Sequence, residues 1–421
     1  MFTCLVTASL PPKELVVFLD DEGKRVNHLC DQRQRRILRR LRIAGCVVAF
    51  LVAGLGFGRA KGQENSAPKD DALPSVALSE APLVLMHSVD SNSPVHWDER
   101  KLYLINSAGG HQYVSSGPDV AHLGYRTLVH LGDTDDRLYI WIEATWMSQD
   151  GTLYGAYHYE PDALCATNSH LPTAPRIAWI RSRDNGKTWD DLGYIIYADP
   201  SAIGCHTASP WDAGGTGDFT FLPDRENRYF YFYGTSYDPR FEEQGVFAAR
   251  MPVADTNNPS DKVMKWYKGA WGQPGLGGHV TPVFPAERDY THADGKMFWG
   301  PAIHWNSYLH MYVMLLNHAI DTQLNTDGIY ISFNRHISDP RGWSRPRMII
   351  DRAEIQKNMQ GTNLSPTKMA NGWYPEVIGD EPGETDTLVG KTGRVFLAGV
   401  SRLRITFLNP DEQLQQKKTS R

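Results

Sequence analysis

Four carboxylates sit inside runs of strand-forming residues: Asp90 in VDSNSPVHW, Glu143 in WIEATW, Asp218 in GTGDFTF and Glu376 in WYPEVIG. A carboxylate within a strand costs free energy unless it faces water or a partner. Two such groups brought to one place can do acid–base work. One protonates a leaving oxygen while the other activates water or attacks directly, which is the requirement for cleaving a glycosidic bond. The plainer alternative is that each caps a turn or accepts backbone N–H bonds, and for any single residue both readings stay open.

Histidines and aromatics form a second set. His96, His158 in YGAYHYE, His304 in GPAIHWN and His318 lie among aromatic residues. Of these, His96, His158 and His304 are candidates for contact with sugar hydroxyls. Trp299, Trp305, Trp373 and Tyr374 are candidates for stacking on sugar rings. The sequence has neither an H-x-x-x-H pattern nor Cys/His spacing of a zinc site, so no metal site is expected from spacing. There is no phosphate-binding loop and no G-x-S-x-G elbow. The glycine-rich run 214–217 lacks the strand-then-helix context of a dinucleotide site.

These residues need a scaffold that brings distant strands together. A unit of strand, polar turn, aromatic and strand recurs at 177–196 (IAWIRSRDNGKTWDDLGYII), at 328–350 and, more weakly, at 245–270. Such units cannot bury their apolar faces singly and must stack or close into a ring. Within the first copy, residues 182–189 fit S-x-D-x-G-x-T-W, the Asp-box. Its Ser182 and Asp184 satisfy turn amides, Gly186 supplies positive φ and Trp189 packs the hairpin, a structural role. Strands of four to seven residues alternate with Gly, Asp, Asn and Pro turns from Leu83 onward. Five units are expected, near 83–130, 131–200, 215–273, 293–352 and 370–408. The predicted fold is all-β, a five-bladed β-propeller over 81–410, with the first strand of each blade lining the channel.

Composition limits the partners. Net charge is −5, too acidic for nucleic-acid binding, which needs a basic footprint. The arginines between 33 and 42 precede an apolar run, 43–57, and a small-residue stretch, the order of a secretory signal. Residues 1–62 are therefore expected to be a tail plus a signal peptide or an uncleaved membrane anchor. A polar linker is expected at 63–80 and a polar tail at 411–421. The product is expected to be secreted or periplasmic, touching membrane only through 43–57. Beyond the signal only Cys165 and Cys205 remain. In an oxidising compartment they are a natural pair, whose bridge contributes about 3–4 kcal/mol on loop-entropy grounds.

Taken together, GTGDFTF, FWGPAIHWN, GIYISF and GWYPEVIG resemble the five-bladed propeller glycosidases of the arabinanase/levansucrase-like superfamily, secreted bacterial members without an assigned substrate included. The resemblance spans about 83–405. It implies a base or nucleophile aspartate from the first blade, matched by Asp90, and an orienting aspartate from a middle blade, matched by Asp218. It also implies an acid glutamate, matched by Glu143 or Glu376, and it allows a calcium ion in the channel. Where such proteins open the first blade with Asp-Pro, this chain has Asp90-Ser91-Asn92-Ser93-Pro94. The expected function is hydrolysis of a poly- or oligosaccharide. A propeller that binds carbohydrate without cleaving it is the alternative. A sialidase ranks last, because the opening strands lack the arginines its substrate carboxylate needs.

Overall fold

The computed structural model describes residues 73–84, 89–108, 110–132, 139–163, 173–359 and 371–412. The chain divides into Met1–Gln63 and Glu64–Arg421, and everything below concerns the second unit. The tail, the signal or anchor at 43–57, most of the 63–80 linker, Cys165 and residues 413–421 lie outside the described residues.

Five sheets follow one another along the chain, antiparallel except where Leu388–Val389 adds a short parallel strand to the fourth. Their innermost strands are Val95–Asp98, Ile140–Met147, Thr216–Pro223, Met297–Asn306 and Pro375–Gly379. The fivefold arrangement and the carboxylate-bearing opening strands of the second, third and fifth sheets agree with the sequence reading. The packing is aromatic where two sheets face each other. Trp179 of the second sheet meets Phe221, Phe230 and Phe232 of the third at ring separations of 4.9–6.0 Å. The 182–189 turn is held as expected. Asp184 accepts from the Thr188 N–H (2.9 Å) and hydroxyl (2.8 Å), and the Trp189 indole donates to the Gly186 carbonyl (3.0 Å).

Two boundaries differ from expectation. Residues 75–80, expected in the linker, belong to the strand Ser75–Val84. It is the outermost strand of the last sheet, paired antiparallel with Val400–Leu408. The first sheet accordingly opens at Val95 rather than near Leu83. The alternating polarity of SVALSEAPLV suits an edge strand with one wet face, a pattern easily taken for a linker when read alone. The ring therefore closes by combining both ends of the domain in one sheet.

Three innermost strands share a device. Register shifts fall at Glu143, at Asp218–Phe219 and at Gly300–Pro301. An irregularity of this kind takes a backbone group out of the ladder and bends the strand, and such features gather beside functional sites. The freed donors are met by side chains of the preceding sheet. Glu143 accepts from the Phe219 N–H (2.7 Å), and Thr235 accepts from the Gly300 N–H (3.0 Å). Where the ring joins, Glu376 of the last sheet accepts from the Ser93 N–H with both oxygens (3.1 and 3.0 Å), just ahead of the first.

Candidate active site

The opening ends of the innermost strands carry a buried acid cluster. Asp218 sits on the irregular turn of the third sheet with φ +41°, and Tyr374 precedes the fifth with φ +52°. Left-handed backbone at such residues is strained and is retained where the surroundings demand it. The Tyr374 hydroxyl donates to Asp218 Oδ1 (2.9 Å), and the Tyr237 hydroxyl donates to Oδ2. Asp218 is only 6 % exposed. His158, from the second strand of the second sheet, places Nδ1 3.3 Å from Glu143 Oε1 and 3.7 Å from Asp218 Oδ1. Its Nε2 lies 3.5 Å from Glu160 Oε1. Gly217 is obligatory here, because a Cβ would lie 2.5 Å from His158 Nε2.

Charge follows from this packing. Burial disfavours the imidazolium, but the Glu143 hydrogen bond and the fields of Asp218, Glu143 and Glu160 outweigh it and lift His158 to about 10. Burial also raises Glu143, to about 7, against the pull of His158. Of the two, the imidazole keeps its proton, since three carboxylates face it. Burial, followed by Glu160 and Asp218, pushes Asp212 well above the usual carboxylate range. Asp212 is reached by the Tyr290 hydroxyl at 3.4 Å. Tyr374 is the common centre: burial first, then Asp218, Asp90, Glu143 and Glu160, hold its proton on. Acids from ahead of the first sheet and from the second and third thus act electrostatically on one phenol ahead of the fifth, and Asp218 accepts its hydrogen bond.

The sequence candidates divide accordingly. Glu143, His158, Asp218 and Tyr374 meet, and the field of Asp90 reaches Tyr374. Glu376 does not act as an open acid. It is 2 % exposed and its two oxygens hold the Ser93 amide, the backbone-accepting role. Trp299 (1 % exposed) is wedged edge-on against Trp373 and Tyr374 and offers no face for stacking. Trp373 is likewise buried, its indole donating to the Leu324 carbonyl (2.9 Å). His96 stacks on Tyr103, and His304 packs edge-on against Phe407 of the last sheet. Burial pushes the two histidines down to about 4 and about 3, so both are neutral packing groups. Trp305 lies under the Arg225 guanidinium (5.0 Å) and against Tyr312. Strand polarity explains these departures. His304 and Trp305 end the innermost strand that Trp299 begins, so both are at the far end of that strand, and His96 is taken up by its stack on Tyr103.

Sequence reasoning missed Glu160, Asp212, Tyr237 and Tyr290. Two of them carried a signal. Glu160 ends the same YHYE run that supplies His158, and Asp212 lies six residues before Asp218 in a glycine-rich approach. Two exposed aromatics flank the cluster. Tyr139 (54 % exposed) leans on Trp141, which contacts His158, and Trp211 (37 % exposed) stands edge-on to Trp373.

The calcium ion that the resemblance allows does not fit this donor set. Calcium takes about six to eight oxygen ligands. Glu143, His158 and Asp218 approach within 4.8 Å of one another. However, His158 contributes nitrogen and positive charge, both Asp218 oxygens hold tyrosine hydroxyls, and one Glu143 oxygen holds an amide.

Glu376 yields a testable pH dependence. Burial lifts it to about 8, against the Ser93 hydrogen bonds, from an ordinary value of 4.5. The folded chain therefore holds an extra proton between those values. The stabilisation is complete below about pH 4.5 and is lost as pH rises through 8. A glutamine at 376 stays neutral throughout. Urea unfolding of wild type and Glu376→Gln at pH 5 and pH 8.5 is expected to show the variant gaining on wild type by on the order of 4 kcal/mol across that interval. Parallel profiles would place the carboxylate in water rather than in the joint between sheets.

Comparison with known proteins finds no matching family profile and no matching curated sequence. Among solved structures the chain is similar to an exo-beta-1,3-galactanase from Phanerochaete chrysosporium, with 8 % identity and TM-score 0.43 over 79 % of this chain and 63 % of that one. It thus spans less than two thirds of the galactanase chain. It is also similar to a thermostable family-43 glycoside hydrolase, with 10 % identity and TM-score 0.43 over 76 % of this chain and 92 % of that one. An endo-arabinase from Bacteroides thetaiotaomicron shows 11 % identity and TM-score 0.43 over 78 % and 96 %. The fold assignment rests on the chain's own sheet topology.

Proposed function

We propose that this chain is an exported glycoside hydrolase whose acid–base groups lie at the opening ends of the innermost strands. The observation that carries the reading is the gathering of Glu143, Glu160 and Asp218 around His158, with Tyr374 donating to Asp218 and the field of Asp90 reaching that phenol. Hydrolysis needs one protonated and one ionised carboxyl, and environments that drive such groups apart in pKa supply them. A buried imidazolium between carboxylates gives that contrast. Asp218 orients, fixed by two tyrosine hydroxyls. Asp90, less buried than its neighbours and anchored through its N–H to the Ser107 hydroxyl (3.1 Å), is the base or nucleophile. Tyr139 and Trp211 replace Trp299 and Trp305 as stacking faces. Export through the 43–57 segment, which acts as signal or anchor, and a Cys165–Cys205 bridge belong to the same reading on sequence grounds.

The test is product analysis on arabinan, β-1,3-galactan and xylan oligosaccharides with the domain secreted from its own signal. Release of shorter sugars from one of them supports the proposal, and silence on all three, with no cleavage of aryl glycosides, removes it. A second reading has an observation in its favour. Asp218 is sealed by Tyr237 and Tyr374, which suits a propeller that binds carbohydrate without cleaving it. Saturable binding by calorimetry to an oligosaccharide that stays intact would select that reading.

A further inference from the structure

Resting on the glycosidase reading, we infer that the enzyme cuts only at chain ends, because the loop 204–213 walls off one side of the acid cluster. The loop follows the outermost strand of the second sheet, Asp190–Tyr197, and leads into the innermost strand of the third. On the way it doubles back on itself. The Gly204 N–H donates to the Ala213 carbonyl (2.6 Å), and Ile203 pairs antiparallel with Gly214. Gly214 has φ +141°, and a Cβ there would lie 2.4 Å from the Ala202 carbonyl oxygen, so this neck closes only around glycine. A compact loop whose ends meet in this way is an Ω-loop, a form that often carries function.

The tip of the loop is fastened across the ring. The Ala208 N–H donates to the Thr291 carbonyl (2.8 Å), and the Ala208 carbonyl accepts from the Thr322 hydroxyl (3.3 Å). The Ser209 hydroxyl donates to the Tyr290 phenol oxygen (3.0 Å), and Trp211 meets Trp373 edge-on at 6.2 Å. Thr291 precedes the fourth sheet, Thr322 joins two of its strands and Trp373 precedes the fifth. A loop rooted between the second and third sheets is thus tied down on the fourth and fifth, and it carries Asp212 into the cluster. Toward the second sheet, the Trp211 carbonyl accepts from the Thr173 N–H (2.7 Å), and Thr173 pairs with Asp162. The accessible groups bordering the cluster lie there: Tyr139, the half-buried Glu160 and Trp211. A sugar chain cut internally must continue past the cluster on both sides. Among the described residues it meets exposed groups along the second sheet and a hydrogen-bonded wall opposite. A terminal sugar needs only the first of these.

The measurement is the product pattern. Wild type is incubated with soluble arabinan, β-1,3-galactan and xylan while reducing ends and viscosity are followed together. It is expected to release one small product of constant length from the outset, with viscosity falling only in proportion to the bonds cut. A ladder of fragments with an early collapse of viscosity overturns the inference and leaves the glycosidase reading standing. Oligosaccharides of the cleaved polymer, chemically capped at one end or the other, give a second arm. One of the two caps is expected to lower kcat/KM by at least about 100-fold, and equal rates on capped and free chains overturn the inference. Replacing residues 206–210 by two glycines removes the contacts of the tip and keeps Trp211 and Asp212. This variant is expected to raise internal over terminal cleavage by at least about tenfold. A folded, active variant as strictly end-cutting as wild type would place the wall elsewhere and overturn the inference. Should the shortened loop not fold, the capped chains decide. If wild type cleaves neither polymer nor oligosaccharide, the glycosidase reading falls and the inference with it.

Discussion

Asp218→Asn is expected to lower kcat/KM by at least about 1000-fold while leaving the protein folded. The substitution keeps shape and removes charge. In the wild type the carboxylate accepts from Tyr374 and Tyr237 and lies 3.7 Å from the imidazole of His158. An amide presents an N–H₂ to one of those hydroxyls, so one phenol must turn from donor to acceptor. It also removes one of the three acids that keep His158 charged. The proton inventory of the cluster changes even though the backbone does not. Circular dichroism and the thermal midpoint check the fold, and the aryl glycoside assay checks the rate. Activity within tenfold of wild type would mean that Asp218 is a turn residue held by tyrosines, and the carbohydrate-binding reading would gain. The pH profile gives a second readout. With the negative charge gone, the basic limb of kcat/KM is expected to move to lower pH, because His158 then releases its proton more readily.

The other large effect is expected from deleting the edge strand. Removal of residues 73–84 strips the partner from Val400–Leu408, from Ser75 against Leu408 through Val84 against Val400. It also removes the carbonyls of Pro74 and Ala81 that accept from Arg347 and Arg394. At about 0.5–1.5 kcal/mol net for each backbone bond, eight paired positions amount to a loss of roughly 4–12 kcal/mol. That is comparable with the whole stability of an ordinary domain. The exposed edge of Val400–Leu408 also becomes a template for pairing with other chains. Urea unfolding is expected to show a lowered midpoint and a less cooperative transition, and light scattering to show association. An unchanged midpoint would mean that the ring closes without its first strand.

Most of the scaffold was legible in the sequence because propeller strands announce themselves through short-range chemistry. The 182–189 turn, the aromatic pairs and the alternation of strand and turn each reflect contacts within one hairpin. What escaped depended on contacts between hairpins. Ser75–Val84 reads as a linker until Val400–Leu408 is placed beside it. Glu376 reads as an acid until the Ser93 amide is found on both its oxygens. Trp299 and Trp305 lie six residues apart on one strand, and only the direction of that strand separates the buried wedge beside Tyr374 from the face that Arg225 covers. Glu143 and Asp218 were found because a carboxylate in an apolar strand is anomalous by itself. Glu160 and Asp212 lie just outside strands, where an acid is unremarkable, and only their closeness in sequence to His158 and Asp218 marks them.

The pairing of Ser75–Val84 with Val400–Leu408 has a consequence for biogenesis. The first strand of the domain to leave the ribosome waits for a partner made ~330 residues later, which at translation rates of about 5–20 residues per second is roughly 15–65 s. The first three sheets can assemble as they emerge, but the fourth waits for Leu388–Val389 and the fifth for Val400–Leu408, so closing the seam is the last step. A ribosome stalled near residue 390 would hold a nearly finished ring with its seam open, the state most exposed to proteases and to neighbouring nascent chains.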